Sequence, residues 1–388
     1  MRNDRYARRT FLKFTGGLLF SGRVGAAADG AGVSLEVVRE KPVPVFPSSG
    51  DRFYRLPSLI VAADGALLAA CQKRKGNAGD WAESALVTKR SVDGGRTWSK
   101  EQTLHERPGF CTFNGNLVED RRAGRLLALF ITFPRAAGRA WFPEEWIPEG
   151  GFWQVVSTDD GENWSEPIHK VPAPNADGWR GGAAYNNNHG VQLTRGPDAG
   201  RLVAGGRVFR PGGYEGRTKG GLIYSDDQGE SWRVGAVGFP ERGPINGEVA
   251  LCETGGEVYA SFRAREKQKP WHRLYGRSED GGESFYEMGE QKDLAAHGCN
   301  AGLASVRRGR SASGLLLFTY PRRPDRRQLS CYMSRDGGRS WANGKVIAEG
   351  GGYSDVAVLP DGTIIVLYER SHRAGLYVVR FSLEWLLK

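Results

Sequence analysis

Ser91-Val92-Asp93-Gly94-Gly95-Arg96-Thr97-Trp98 decides the fold, because Ser157 to Trp164, Ser225 to Trp232, Ser278 to Phe285 and Ser334 to Trp341 repeat its pattern. All five fit S-x-D-x-G-x-[TSN]-[WF]. Asp bonds its side chain to the local backbone, Gly tolerates positive φ, and the aromatic packs beneath, so each box reads as a tight turn. A second repeat lies between the boxes: an apolar run, a turn with Gly65, Gly124, Gly200, Gly256, Gly314 or Gly362, then another apolar run. Short apolar runs bounded by turn residues read as buried strands joined in hairpins. Six hairpins, five followed by a box, predict an all-β chain folded as a six-bladed β-propeller of four-stranded antiparallel blades. After Glu369 the last unit is short of strands, and Val33–Arg39 is expected to supply the missing one and close the ring.

Strand direction then sorts the residues by face. In a four-stranded meander the start of the first strand and the end of the second share one face. The glycine turns and the boxes lie on the other, so the box aspartates are read as structural. The first-strand starts and second-strand ends carry Arg55, Arg74 with Asp80 six residues on, Glu248, Arg263, Arg326, Tyr353 and Glu369. Arginines gathered at one axis repel each other unless carboxylates or an anion hold them, since buried charge must be paired. Guanidinium forks match carboxylate and phosphate, so the ligand read from these positions is an anion. Glu369 is read as the carboxylate that holds Arg55.

Composition bounds the alternatives. The chain has 388 residues, 39% of them apolar and 25% charged, enough for a large core and unlike a disordered polymer. No apolar run approaches the roughly 18 residues that cross a bilayer, so no membrane insertion of the mature form is expected. Net charge is +10, half of it within residues 1–28, and no Lys/Arg tract interleaves with aromatics, so no nucleic-acid partner is expected. Cys71, Cys111, Cys252, Cys299 and Cys331 are scattered without a C-x-x-C pair, and the six histidines lack ligand spacing. Neither a disulfide framework, a metal nor a cofactor is indicated.

Ala7-Arg8-Arg9-Thr10-Phe11-Leu12-Lys13, a modest apolar stretch and Ala26-Ala27-Ala28 resemble a twin-arginine export signal. Residues 1–28 are therefore expected to direct export, to the periplasm or outside the cell, and 29–388 to form one propeller.

With Tyr54-Arg55-Leu56-Pro57, the five boxes, Arg74 with Asp80, Glu248 ahead of Glu253, Ser261-Phe262-Arg263, Arg326 eight residues before a box, and Gly352-Tyr353-Ser354-Asp355 before Glu369, the chain resembles the bacterial exo-α-sialidases. The resemblance implies a glycoside hydrolase acting on sialylated glycans. It implies that Arg55, Arg263 and Arg326 bind the sialic acid carboxylate, with Arg265 the alternative to Arg263. It further implies Tyr353 as nucleophile, Glu248 as its base, Asp80 as acid/base and Arg74 on the sugar ring. Glu83 is the reserve proton donor. A non-catalytic carbohydrate-binding propeller could keep the arginines but need not keep Asp80, Glu248 and Tyr353 together. Trp141, Phe142, Trp146 and Trp153 read as packing of an insertion or a rim loop, and Tyr185 to His189 as a candidate contact for the sugar's arms.

Overall fold

The computed structural model describes residues 38–135, 151–182, 188–210, 218–241, 247–264, 272–308, 311–342, 344–371 and 373–388. The expected export signal, Trp141, Phe142, Trp146, Tyr185 to Asn187 and Arg265 lie outside them.

Six sheets follow one another along the chain. After β1 (Val43–Pro47), blade one holds β2 (Arg52–Val61), β3 (Leu67–Lys75), β4 (Ser84–Ser91) and β5 (Gln102–His105). Blade two holds β6 (Phe110–Asp120), β7 (Arg125–Pro134), β8 (Gly151–Ser157) and β9 (Ile168–Lys170). In blade three the first position is shared by β10 (Arg180–Gly182) and β12 (Val191–Gln192), with β11 (Asn188–His189) lying parallel on β6 of the neighbouring blade. β13 (Leu202–Phe209), β14 (Thr218–Ser225) and β15 (Arg233–Val237) complete it. Blade four is β16 (Val249–Thr254), β17 (Glu257–Phe262), β18 (His272–Ser278) and β19 (Glu287–Ala295). Blade five is β20 (Gly302–Arg308), β21 (Ser311–Pro321), β22 (Arg327–Ser334) and β23 (Lys345–Gly350). Blade six is β24 (Ser354–Val358), β25 (Thr363–Ser371) and β26 (Gly375–Ser382), with β1 as its outer strand, and α1 (Leu383–Leu387) ends the chain.

The middle of β7 is apolar on both faces because both are covered. Along β7, Leu127, Leu129 and Ile131 pack with Leu202 and Ala204 of blade three, whereas Leu126, Ala128 and Phe130 pack with Leu68 and Ala70 of blade one. Alternating side chains thus serve two neighbours, which is what a radial stack of sheets requires.

Two expectations are corrected. The closing strand is β1, registered Val43 to Val378 and Pro47 to Gly375, rather than Val33–Arg39, of which Arg39 makes only an isolated bridge to Phe381. Gly314 lies inside β21, and the first hairpin of blade five turns between Arg308 and Ser311.

Candidate active site

A bulge in β2 sets Arg55. Arg55 registers with Gln72 and Ser58 with Ala70, so Leu56 and Pro57 stand opposite Cys71 alone, and Leu56 has a φ of 60°. Two residues against one bend a strand and re-aim its side chains. Arg55 Nε and Nη2 donate to the two carboxylate oxygens of Glu369 at 3.0 and 3.1 Å, and the amide of Leu56 donates to the first of these at 2.9 Å. Burial alone would lower the pKa of this guanidinium. Glu369 outweighs it and holds Arg55 above its ordinary value.

Arg74 follows Gln72 by two residues on β3, so both side chains leave one face of the strand. Arg74 Nε donates to Gln72 Oε1 at 2.7 Å, and Nη1 lies 2.9 Å from Asp80 Oδ1. Its Nη2 is buried without a partner. Burial, and then the charge of Arg55, lower the pKa of Arg74. Asp80 is also 3.7 Å from Arg55, and its side chain is 56% exposed. Glu83 is turned away, toward Arg135 at 3.6 Å and the amide of Gly109 at 3.3 Å.

Tyr353 lies immediately before β24, and Glu248 and Arg263 immediately before β16 and after β17. The Tyr353 hydroxyl donates to Glu248 Oε1 at 2.7 Å and accepts from Arg263 Nη1 at 2.9 Å, while the same Nη1 reaches Glu248 Oε1 at 2.7 Å. The guanidinium carbons of Arg55 and Arg326 stand 5.6 and 5.3 Å from the Tyr353 ring centroid, within cation–π range. Burial and the Glu248 charge raise the phenol pKa, against the opposing pull of Arg263, Arg326 and Arg55. The phenol is therefore held protonated at neutral pH. Arg326 adopts a φ of 58° ahead of β22 and donates Nη2 to the carbonyl of Gly298 at 2.8 Å.

The eight side chains singled out from the sequence thus form one constellation, with Tyr353 joining Glu248, Arg263 and Arg326 to the Arg55–Glu369–Asp80–Arg74 group. Gln72 and the carbonyl of Gly298 were not foreseen. Gln72 carries a readable signal, two residues from Arg74 on a strand; the carbonyl has none. Of the polar stretch before β12, Asn188 is buried with its amide donating to the carbonyl of Ala301, and His189 Nδ1 is 3.0 Å from Asp355. Both tie blades together on the axis. Trp153 packs between His105 and His169 and bonds Thr132. A cavity of about 630 Å³ opens at the other end of the axis, among Leu59, Glu119, His189, Glu253 and Val356. The five cysteines are buried thiols. Among the described residues no group of three or more His, Cys, Asp or Glu is arranged to hold a metal, and no helix is long and apolar enough to cross a membrane.

The chain as a whole is similar to known proteins. The BNR repeat-like domain family matches residues 111–366. A sialidase of Micromonospora viridifaciens is 30% identical, over 89% of this chain and 54% of its own length. A sialidase of Bacteroides fragilis is 26% identical, over 88% of this chain and 66% of its own length. The chain therefore spans about half to two thirds of these relatives. The solved Hadza microbial sialidase Hz136 superposes with a TM-score of 0.69 at 22% identity, over 86% of this chain and 66% of its own, a likeness of fold. By the match over most of its propeller, its five boxes and its six blades, the chain belongs to the BNR repeat-like domain family.

Proposed function

We propose that this chain is an exo-α-sialidase that hydrolyses terminal α-linked sialic acids from sialylated glycans with retention of configuration. The observation that carries the reading is the Tyr353 hydroxyl, bonded to both Glu248 and Arg263 beneath the guanidiniums of Arg55 and Arg326. Arg55, Arg263 and Arg326 take the substrate carboxylate. That carboxylate sits on the anomeric carbon, so an anionic nucleophile 4 Å away would meet like charge at about 4 kcal/mol for an effective dielectric near 20. A neutral phenol avoids this, and sialidases are a recognised exception to the two-carboxylate rule of glycosidases.

Glu248 accepts the phenol proton as the Tyr353 oxygen bonds to the anomeric carbon, and Asp80 gives its proton to the departing glycosidic oxygen. Asp80 then removes a proton from water, which attacks the same carbon and releases Tyr353, whose oxygen recovers its proton from Glu248. Arg74 holds Asp80 and faces the ring. The Arg8-Arg9 segment supports export of the folded protein, to be tested by cell fractionation with Arg8 and Arg9 both changed to Lys; retention inside the cell is the expected result.

Release of sialic acid from sialyllactose tests the mechanism. Asp80→Ala is expected to lower kcat/KM by about 10²–10⁴-fold, and Tyr353→Phe to abolish retaining turnover. Activity unaffected by both changes would sink the mechanism. Tight binding without turnover by the unaltered chain would make it a carbohydrate-binding propeller.

A further inference from the structure

The hairpin that delivers Arg326 is itself unusually basic. Pro321-Arg322-Arg323-Pro324-Asp325-Arg326-Arg327 carries four arginines against one aspartate. Asp325 is taken by Arg327 at 2.6 Å, and Arg322 and Arg323 are exposed. The β25–β26 hairpin adds exposed Arg370, whose guanidinium lies 4.9 Å from the Tyr377 ring centroid, and exposed Arg373. Residues 350–352 bind the two hairpins side by side: Gly351 donates to the carbonyl of Arg326 and Gly352 to that of Glu369. Among the described residues, no carboxylate stands within ion-pair distance of Arg322, Arg323, Arg370 or Arg373, and Glu349 is the exposed carboxylate nearest in sequence to residues 350–352.

The chemistry of the proposed substrate fixes what meets this lip. The carboxylate gripped by Arg326 and the bond to be cleaved share one carbon atom. Whatever leaves therefore emerges within about one sugar's length of the hairpin that carries Arg326. We infer that the lip formed by Arg322, Arg323, Arg370 and Arg373 binds the carboxylate of a second sialic acid in the leaving group, so that sialic acid linked to sialic acid is the favoured substrate. Exposed guanidiniums pair with carboxylates through steering and orientation, a contribution that salt screens. The inference rests on the sialidase reading and deepens it.

The test measures kcat/KM of the full chain on a disialoside and on a sialyl-galactoside with a neutral leaving group, at about 20 mM and about 500 mM salt. The unaltered protein is expected to favour the disialoside by about fivefold or more at low salt, with the preference shrinking at high salt. The double variant Arg322→Ser with Arg323→Ser, and separately Arg370→Ser with Arg373→Ser, should each reduce that preference and leave turnover of the neutral substrate unchanged, which also reports an intact fold. Hydrolysis of both substrates at a ratio that neither the variants nor salt alters would overturn the inference and leave the sialidase reading standing. A preference for a sulfated galactoside without one for the disialoside would likewise overturn it. Hydrolysis of neither substrate would remove both.

Discussion

Leu56, with its φ of 60°, shows how much local structure is spent on aiming one side chain. A left-handed conformation costs a bulky residue on the order of 1–3 kcal/mol, and here the bulge it creates lets both the Arg55 side chain and the Leu56 amide address Glu369. Removing one partner of a buried pair leaves the other charge uncompensated, at about 3–5 kcal/mol. Glu369→Ala is therefore expected to lower unfolding stability by about that amount, and Arg55→Met combined with it to lower stability by clearly less than the two single changes summed. Urea titration of the four proteins checks this; strict additivity would mean that the pair does not act as a unit. The phenol of Tyr353, held above its ordinary pKa by burial and Glu248, gives a second expectation. Ultraviolet difference titration of the unaltered protein against Tyr353→Phe should show no phenolate from this residue up to about pH 10. At this scale the arginines and Glu369 were legible because charge at a first-strand start or second-strand end has few structural reasons to exist, and Tyr353 through the family resemblance of its Gly352-Tyr353-Ser354-Asp355 motif. The choice between Asp80 and Glu83 was not, since a loop fixes no facing; Asp80 stands beside Arg74, and Glu83 is turned toward Arg135.

The box turns repeat one hydrogen-bond pattern. In each, the serine hydroxyl donates to the aspartate at 2.7–2.8 Å and accepts the amide of the box glycine at 2.7–2.9 Å. At Asp93, Asp227, Asp280 and Asp336 burial is the largest single influence and raises the pKa, but the donated bonds together prevail, and at Asp159 the bonds dominate outright. All five carboxyls lie below the ordinary aspartate range, Asp336 at about 2. A carboxyl depressed by folding stabilises the native state above its unfolded pKa of about 3.9, and that contribution is lost as pH falls toward the folded value. Asp336→Asn should thus destabilise the protein at pH 7 more than at pH 2.5, read from guanidinium unfolding at both. Equal losses would mean that the turn is held by shape rather than charge. The boxes were legible because their chemistry is local. The closing strand was not: Pro44 and Pro47 look like strand breakers, yet β1 is an outer strand, where a missing amide costs no ladder bond. Nor was α1, five residues capped by Ser382, too short for any periodicity to show.

Across the whole molecule, the two ends of the described chain meet in one sheet. β1 pairs with β26, so blade six, which carries Tyr353 and Glu369, is completed by residues more than three hundred positions away. Phe46 is fully buried in that seam, against Tyr54 of blade one at 5.5 Å between ring centroids and beneath the ammonium of Lys89 at 5.3 Å. Its truncation opens a cavity between the first and last blades, and Phe→Ala changes of this kind cost about 3–5 kcal/mol. A radial array of sheets has free edges until it closes, so the loss should not stay local. Phe46→Ala is expected to shift the whole unfolding transition with an unchanged denaturant slope, as does Phe130→Ala in blade two, because each blade's inner strands serve both neighbours. Loss of the proposed sialidase turnover on heating should follow the same midpoint in both variants. A separate early transition in Phe46→Ala alone, with activity lost while most of the sheet signal persists, would show instead that blade six can detach from a ring that survives without it.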